Sequence, residues 1–402
     1  ILADRCLKDN MPDALSVSVH VKCLTLGGSI QKKDMRHLKT IVPRLVHLNC
    51  LYWKLGFMPK NLNCFSRCSE LHSVHLWPKS ISTSSKGQDW IERLPQLLRF
   101  TNLTHFSLKS PGISHKFNFS QLEPLAPLLQ SSPNLEFIVL DLQDTNRSGQ
   151  TYSPTVLLEP LGDQFVLPRL HTLHMLGSAD PGWVGFASNP THPFRAFLAR
   201  HPSIRDLAVG CPLDTDDIGM DPDDLAHLLP SVKHLALPSF MCEPAIESQL
   251  ALQLESLAIS DPLFHDEDAL DPVAEAMGIS TLPNLRKLAI WAEPGDFELR
   301  AGVVEALTLA AKGLEELEFR APVEDYSEFI EAMSGAENLR QIKLVPSQVM
   351  KFGLPFSWRA VLEDLAEMCP RLEIVVGHSG IDGCQILRND DGEVYFEEVV
   401  LD

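Results

Sequence analysis

A short apolar signature recurs thirteen times along this 402-residue chain, and it constrains the fold more than any other feature. In each copy a large apolar residue is followed three residues later by a second, and two residues after that by a third. The first anchors lie 22 to 35 residues apart. One copy means little in a Leu-rich protein, but thirteen in series predict a repeat architecture. The anchor sets are Val21/Leu24/Leu26, Leu45/Leu48/Cys50, Leu71/Val74/Leu76, Leu103/Phe106/Leu108, Leu135/Ile138/Leu140, Leu170/Leu173/Met175, Ile204/Leu207/Val209, Val232/Leu235/Leu237, Leu254/Leu257/Ile259, Leu285/Leu288/Ile290, Leu314/Leu317/Phe319, Leu339/Ile342/Leu344 and the weaker Leu372/Val375.

Each repeat reads as a helix, a turn and a strand. The last two anchors alternate with a polar or small residue, which predicts a short strand with one buried face. Upstream, several repeats show apolar residues at helical spacing. The clearest case is 221–229, where Asp221 can cap the helix and Pro222 suits its first position. Further helices are predicted at 194–200, 303–311, 326–333 and 358–368.

A single repeat of this kind cannot enclose its own apolar face, so neighbouring repeats must stack. We therefore predict an α/β leucine-rich-repeat solenoid, a right-handed horseshoe with a concave parallel β-sheet and with helices and loops on the convex side. About thirteen irregular repeats would form one elongated domain. Long inserted loops are expected at 77–95, 110–121, 141–166 and 176–193.

The predicted domain has a cap at each end. Residues 1–20 are expected to be an N-terminal cap or the remnant of an upstream module, and 21–376 the solenoid. Residues 377–402 are expected to form a hairpin-like cap with an Asp391-Gly392 turn, which would close the exposed edge of the sheet. Because the chain starts at Ile1 without a Met, we expect it to be a fragment.

Apolar runs and cysteines indicate a compartment. No run of 18 apolar residues occurs, so we expect no membrane span. Nine Cys residues show no paired framework, and Cys50 is placed at a core anchor. Unpaired, mostly buried thiols are typical of reduced proteins, so the cytoplasm or the nucleus is predicted.

Charge is distributed unevenly along the chain. Residues 1–200 carry 21 Lys+Arg and 14 Asp+Glu, a balance of +7, whereas residues 201–402 carry 13 and 39, a balance of −26. An acidic chain disfavours nucleic acid as a partner, because neutralising phosphates needs clustered Lys and Arg. The acidic half favours a basic protein partner. An equally good interpretation is that acidic helices keep a long solenoid soluble.

Residues between the anchors should face the concavity and bind a partner. Seven histidines fall there, and His47, His72, His75 and His105 lie on neighbouring repeats. They are interpreted as exposed polar groups whose partner binding would vary between pH 5 and 7. A metal site made by these four is the alternative. The predicted partner-binding residues are His47, His72, His75, His105, His171, His174, Arg205, His234, Arg286, Trp291, Glu316 and Glu318.

Two further features are predicted for the same face. Ala208, Ala236, Ala258 and Ala289 should form a smooth floor across four repeats, and Trp77, like Trp291, follows its strand directly and can anchor a partner. No phosphate-binding loop, dinucleotide fingerprint, nucleophile elbow or zinc-protease motif occurs in the sequence. We therefore expect no catalytic residues, no metal, no cofactor and no enzymatic activity.

The strand segments VPRLVHL, SPNLEFIVL, LPRLHTLHM, LPSVKHLAL, LPNLRKLAI and CPRLEIVV resemble the leucine-rich repeats of ribonuclease-inhibitor-like proteins. The irregular repeat lengths and the C-terminal MCPRLEIV look most like divergent fungal F-box leucine-rich-repeat proteins. This resemblance implies that the repeats select a substrate for a cullin ubiquitin ligase, and that an N-terminal F-box recruits the Skp adaptor.

Residues 1–20 lack the F-box pattern, so the adaptor and cullin are expected only if an F-box lies upstream of Ile1. The main alternative is a stand-alone scaffold or inhibitor that binds a basic protein through the acidic C-terminal arm. An extracellular receptor is a third possibility, and the unpaired cysteines argue against it.

Overall fold

The computed structural model divides the chain into two compact units, Ile1–Ile204 and Arg205–Asp402, which we call unit 1 and unit 2. The residues described are 19–28, 30, 35–55, 62–78, 98–109, 123–142, 154–177, 183–210, 219–260, 270–291, 300–319, 323, 325–344, 358–377, 382–389, 391 and 393–400.

Unit 1 contains parallel strands that follow one another in chain order. They are β1 (Cys23–Leu26), β2 (Cys50–Trp53), β3 (Ser73–Leu76), β4 (His105–Lys109), β5 (Phe137–Asp141) and β6 (Thr172–Leu176). The α-helices are α1 (Met35–Ile41), α2 (Leu125–Gln130), α3 (Pro154–Leu158), α4 (Trp183–Ser188) and α5 (Pro193–Ala199). Short 3-10 turns lie at Val42–Arg44, Phe65–Arg67 and Glu159–Leu161.

Unit 2 continues the same plan. Its parallel strands are β7 (Asp206–Val209), β8 (His234–Leu237), β9 (Ser256–Ile259), β10 (Lys287–Ile290), β11 (Glu316–Phe319), β12 (Gln341–Lys343) and β13 (Ile374–Val376). The α-helices are α6 (Pro222–Leu228), α7 (Ser239–Glu247), α8 (Asp271–Ile279), α9 (Ala301–Ala310), α10 (Tyr326–Ala332) and α11 (Trp358–Met368), and 3-10 turns lie at Gln249–Leu252 and Met333–Gly335.

The strand–helix order confirms an α/β leucine-rich-repeat solenoid. In unit 2, Leu207, Leu235, Leu257 and Leu288 lie side by side on successive strands and are buried. Phe319 of β11 meets Phe329 of α10 edge to face at 5.4 Å, so anchors pack against helices. Alternation of side chains along each strand is what sends all the anchors to one side.

One predicted anchor set is wrong. Strand β2 pairs Leu51 with Leu24 and Trp53 with Leu26, so the anchors of the second repeat are Leu48, Leu51 and Trp53, three residues later than expected. Cys50 lies beside Cys23 on the opposite side of the sheet and is not a core anchor. The physical reason is that the fully buried ring of Trp53 takes the last anchor position. A pattern that counts only aliphatic residues misses this ring and places the second repeat three residues too early.

The predicted helices are present, with ends that differ by a residue or two. Helix α6 begins where its capping signal predicts: the Asp221 carboxylate accepts hydrogen bonds from the backbone N–H groups of Asp223 (2.8 Å) and Asp224 (3.3 Å). Helix α11 has the predicted bounds. Two of the expected loops, 141–166 and 176–193, contain the short helices α3 and α4.

The C-terminal hairpin is also present. Strand β14 (Asp382–Arg388) pairs antiparallel with both β13 and β15 (Val394–Val400). The side-chain oxygen of Asn389 accepts from the backbone N–H groups of Asp391 (3.1 Å) and Glu393 (2.8 Å), which holds the turn. Gly392 of the predicted turn lies outside the described residues, as do 1–18 of the predicted cap and 79–95, 110–121, 143–153 and 178–182 of the predicted loops. Among the helices described, none is long and apolar enough to cross a membrane.

Candidate partner-binding face

The strand side chains that do not point into the core form what we call the open face of each unit. They occupy the positions between the anchors and just after the last one, on the side that the sequence analysis expects to be concave. In unit 1 they come from β1 to β6 and include Cys23, Thr25, Cys50, Tyr52, Ser73, His75, Trp77, His105, Ser107, Phe137, Val139, Thr172 and His174.

Six rings on the open face of unit 1 form a continuous cluster. This ring cluster consists of Tyr52, His75, Trp77, His105, Phe137 and His174. Tyr52 stacks on His75 with ring centroids 4.3 Å apart and planes within 6°. Trp77 meets both rings edge to face, at 5.5 Å and 5.4 Å.

The second half of the ring cluster is centred on Phe137. Its centroid lies 5.8 Å from that of His105, to which it is stacked, and 6.4 Å from those of His75 and His174. Rings from five successive strands therefore touch in series. Packing of this kind on a sheet holds each ring by its cross-strand neighbours.

Hydroxyl groups hold the rings in place. The Trp77 indole N–H donates to Ser107 Oγ at 2.6 Å, and Ser107 is fully buried. Ser73 Oγ lies 2.9 Å from His75 Nε2, and Thr104 Oγ1 lies 2.9 Å from His105 Nδ1. The orientation of the rings is thus set before any partner arrives.

Two lysines flank Trp77. The ammonium of Lys109 lies 5.0 Å from the centre of the Trp77 ring, and that of Lys54 lies 5.4 Å from it and 5.8 Å from the centre of Tyr52. Lys109 also pairs with the Asp141 carboxylate at 3.6 Å. Within the described part of the chain, no carboxylate comes within ion-pair distance of Lys54.

Burial makes His75 a neutral group. The residue is 7% exposed, and burial, together with the charges of His105 and Lys54, lowers the pKa of its imidazole to about 4. Its Nδ1 is buried with no hydrogen-bond partner among the described residues. Burial also lowers the pKa of His105, against the opposing effect of Glu136. The prediction that His75 is exposed is therefore wrong: the residue is buried, and the pKa of its imidazole is lowered.

The other predicted histidines of unit 1 are exposed or half-exposed. His174 belongs to the ring cluster, and His72 and His171 lie exposed just before β3 and β6. His47 is not on the open-face strand positions, because the second repeat begins three residues later; its Nδ1 lies 3.1 Å from the Glu70 carboxylate. In the described ranges, no group of three or more His, Cys, Asp or Glu residues is placed to hold a metal ion.

Sequence reasoning missed Tyr52 and did not single out Phe137. Tyr52 escaped because the displaced register took it out of the strand, and Phe137 because one aromatic residue in a column of polar residues carries no signal by itself. A repeat pattern that accepts Trp as well as aliphatic residues at the third anchor position would have predicted the register of the second repeat, because Trp53 pairs with Leu26 in the sheet.

The open face of unit 2 is charged. Five ion pairs link neighbouring strands or the residues just before them: Lys233–Glu255 (2.6 Å), Arg286–Glu315 (3.7 Å), Lys287–Glu316 (2.7 Å), Lys343–Glu318 (3.2 Å) and Arg340–Glu373 (3.5 Å). We call this set the ion-pair ladder. The predicted partner-binding residues Arg286, Glu316 and Glu318 are members of it, and each is paired with a side chain of the adjacent repeat.

The remaining predicted residues of unit 2 surround the ladder. Arg205 and His234 are exposed at the starts of β7 and β8, and Trp291 is half-buried directly after β10. The alanine floor is present in part: Ala208, Ala236 and Ala258 are buried, whereas Ala289 is partly exposed. The arrangement in both units suits non-covalent recognition.

Comparisons with known proteins add little to this geometry. No family model and no curated protein matches the chain. It is similar to a chain of a solved structure described as the Rad7 and Elc1 complex in yeast, with 16% identity and a TM-score of 0.40, over 89% of this chain and 76% of that one. The leucine-rich-repeat architecture rests instead on the strand register and the buried anchors of the chain itself.

Proposed function

We propose that this chain is a protein-recognition module that binds a partner protein on its open face. The observation that carries the proposal is the ring cluster: part-exposed Tyr52, Trp77 and Phe137 lie on a rigid sheet and are already oriented. Large aromatic side chains at a protein surface contribute most to binding when their conformation costs little entropy to hold. No catalytic role, metal or cofactor is proposed.

We further propose that the partner is a substrate and that the chain is the substrate-binding part of an F-box-type subunit of a cullin ubiquitin ligase. The support is the resemblance of its irregular repeat lengths and of its C-terminal MCPRLEIV to F-box leucine-rich-repeat proteins. An F-box upstream of Ile1 would recruit the Skp adaptor, and the protein would act in the cytoplasm or the nucleus.

Affinity purification of the full-length protein from its own cells, followed by mass spectrometry, tests both parts. Wild type is compared with Trp77→Ala and with Val166→Ala, a truncation of a 43% exposed residue that lies outside the ring cluster. We expect Trp77→Ala to lose the partner while retaining the Skp adaptor and cullin, and Val166→Ala to keep all three.

Two results would contradict the proposal separately. Retention of every partner by a folded Trp77→Ala protein, verified by circular dichroism, would remove the ring cluster as the binding surface. Purification of a partner without any adaptor or cullin would remove the ligase assignment and leave protein recognition standing.

A stand-alone scaffold or inhibitor is the second candidate, and the charge of unit 2 favours it. Residues 201–402 have a balance of −26, which attracts a basic partner over several ångströms. Binding of this kind weakens steeply with ionic strength. The same purification at low and high salt distinguishes the two candidates, because a basic partner bound to unit 2 would be released by salt and would be insensitive to Trp77→Ala.

A further inference from the structure

We propose that the ring cluster binds an acidic peptide segment, which places a flat side chain against the rings of Trp77 and Phe137 and a carboxylate on Lys54. The inference rests on the proposed function, because it takes the open face of unit 1 as the place where a protein partner binds. It adds the chemistry of that partner.

The charge of Lys54 is the first argument. Its ammonium lies beside the rings of Tyr52 and Trp77, and no carboxylate in the described ranges pairs with it. The other lysine at this site, Lys109, already shares the Asp141 carboxylate. An incoming carboxylate would therefore meet a cation that no carboxylate of the described residues neutralises, in a half-buried setting where the attraction is stronger than in water.

The second argument concerns the two lysine ammonium groups that lie over the Trp77 ring. Ammonium groups of Lys109 and Lys54 lie 5.0 Å and 5.4 Å from its centre, so cations already use the electron-rich face of the indole. A basic segment would bring a third cation next to these two and be repelled. A neutral aromatic or planar side chain can instead extend the existing series of edge-to-face and stacked contacts.

The third argument is the positive net charge of unit 1. Residues 1–200 carry +7, and the imidazoles of the cluster add no negative charge. The long-range field of this half therefore favours an acidic segment during encounter. Because Ser107, Ser73 and Thr104 hold the rings, the site is preorganised and binding requires little rearrangement.

Fluorescence anisotropy with labelled random copolymers tests the inference on the full chain. We expect the copolymer of Glu and Tyr to bind and poly-Glu without Tyr to bind about fivefold more weakly. A labelled copolymer of Lys and Tyr, measured separately, should bind only through the acidic unit 2, so its affinity should not change in Trp77→Ala. Lys54→Glu should weaken the Glu–Tyr copolymer about fivefold, since one attractive pair becomes a repulsive one. Trp77→Ala should weaken it about tenfold, and Trp77→Phe should restore part of the loss.

The matched control is Lys39→Glu, which makes the same change of charge in unit 1 but on helix α1. It should change the affinity less than about twofold, because the Lys39 side chain is exposed to solvent, where charges are screened, and is not among the residues that contact the rings. Equal effects of Lys54→Glu and Lys39→Glu, in variants with native circular dichroism, would overturn the inference.

Failure of the inference and failure of the proposed function give different results. If a natural partner needs Trp77 for binding but the Glu–Tyr copolymer does not bind, the inference of an acidic segment is wrong and protein recognition still stands. Copolymer binding that depends on Lys54, with no natural partner recovered, supports the site and contradicts the proposed function.

Discussion

Units 1 and 2 share one backbone plan and differ in what they present on the open face. In unit 1 the positions between the anchors and just after them carry the ring cluster, which includes the buried imidazole of His75, and two lysines. In unit 2 the equivalent positions carry the ion-pair ladder. The repeat pattern sets the core side of each strand and leaves the other side free, so recognition chemistry varies from repeat to repeat while the fold does not.

The two faces also differ in how their side chains are solvated. Lys287 and Glu316 of the ladder have 55% and 42% of their side chains exposed, whereas His75 of the ring cluster is 7% exposed. Exposed ion pairs contribute little stability and exchange readily for other partners. Packed rings contribute through burial and hold their geometry. The ring cluster is therefore part of the structure of unit 1, and the ladder is a surface feature of unit 2.

The largest expected effect tests the corrected register on which the ring cluster depends. Trp53→Ala should lower the free energy of unfolding of unit 1 by about 3–5 kcal/mol, because it leaves a cavity in the core. Cys50→Ala, on the open face, should cost about 1 kcal/mol or less. Urea unfolding monitored by circular dichroism measures both. Equal losses would contradict the pairing of Trp53 with Leu26.

The second-largest expected effect is a loss of stability of unit 1 at acidic pH. The pKa of His75 is lowered from 6.5 to about 4, so its neutral form stabilises the folded state. This contribution is complete above pH 6.5 and is lost as the pH falls towards 4, because the unfolded chain then binds the proton more readily. We expect unit 1 to lose up to about 3 kcal/mol over that range.

Urea titrations at pH 7, 6, 5 and 4 measure this loss. His75→Gln should flatten the dependence on pH, although His105, whose pKa is also lowered, retains part of it. His171→Gln, at an exposed position outside the ring cluster, is the control and should behave as wild type. A wild-type protein equally stable at pH 7 and pH 4.5 would mean that His75 is not buried as described.

Helix capping gives a smaller difference between the units. Helix α6 of unit 2 is capped by the carboxylate of Asp221, whereas α5 of unit 1 is capped by an imidazole nitrogen of His192, 3.3 Å from the Phe194 N–H. Asp221→Ala should cost about 1 kcal/mol. Asp221→Asn keeps an acceptor and should cost less; thermal unfolding compares the two. Identical losses would show that the hydrogen bonds of Asp221 are not what stabilises α6.

The smallest effect concerns the ion-pair ladder. A double-mutant cycle of Lys287→Ala and Glu316→Ala should give a coupling free energy of about 0.2–1 kcal/mol that falls as salt is added. Urea unfolding at low and high ionic strength measures it. A coupling above 2 kcal/mol, independent of salt, would mean that the ladder is a rigid structural element like the ring cluster.

Much of the fold follows from apolar spacing. Twelve of the thirteen predicted anchor sets have the register seen in the structure, and helix α6 begins at the Asp221 cap that the sequence indicates. The C-terminal hairpin was predicted from the segment 385–400 with its Asp391-Gly392 turn, but the role of the Asn389 side chain in holding the turn was not predicted. The candidate site was predicted less well: His75 is buried, His47 is off the strand, and Tyr52 was missed.

These errors share a physical cause. The exposure of His75 depends on Tyr52, Trp77 and Phe137, which come from three strands, and no local pattern says that they touch. Whether Arg286 or Glu316 is paired depends on residues about 29 positions away that only the strand register brings alongside. Desolvation and pairing are properties of neighbourhoods in space, so a pKa or an ion pair is not readable from one repeat.

What the amino-acid sequence determined by itself is the periodic burial of Leu and related side chains, because stacking repeats is the one way for such short units to remove their apolar faces from water. Tertiary structure alone decided which open-face side chains meet. A shift of the second repeat by three residues exchanges Cys50 for Trp53 in the core and brings Tyr52 onto His75, since side chains of parallel strands interact with the residues that the register places opposite them.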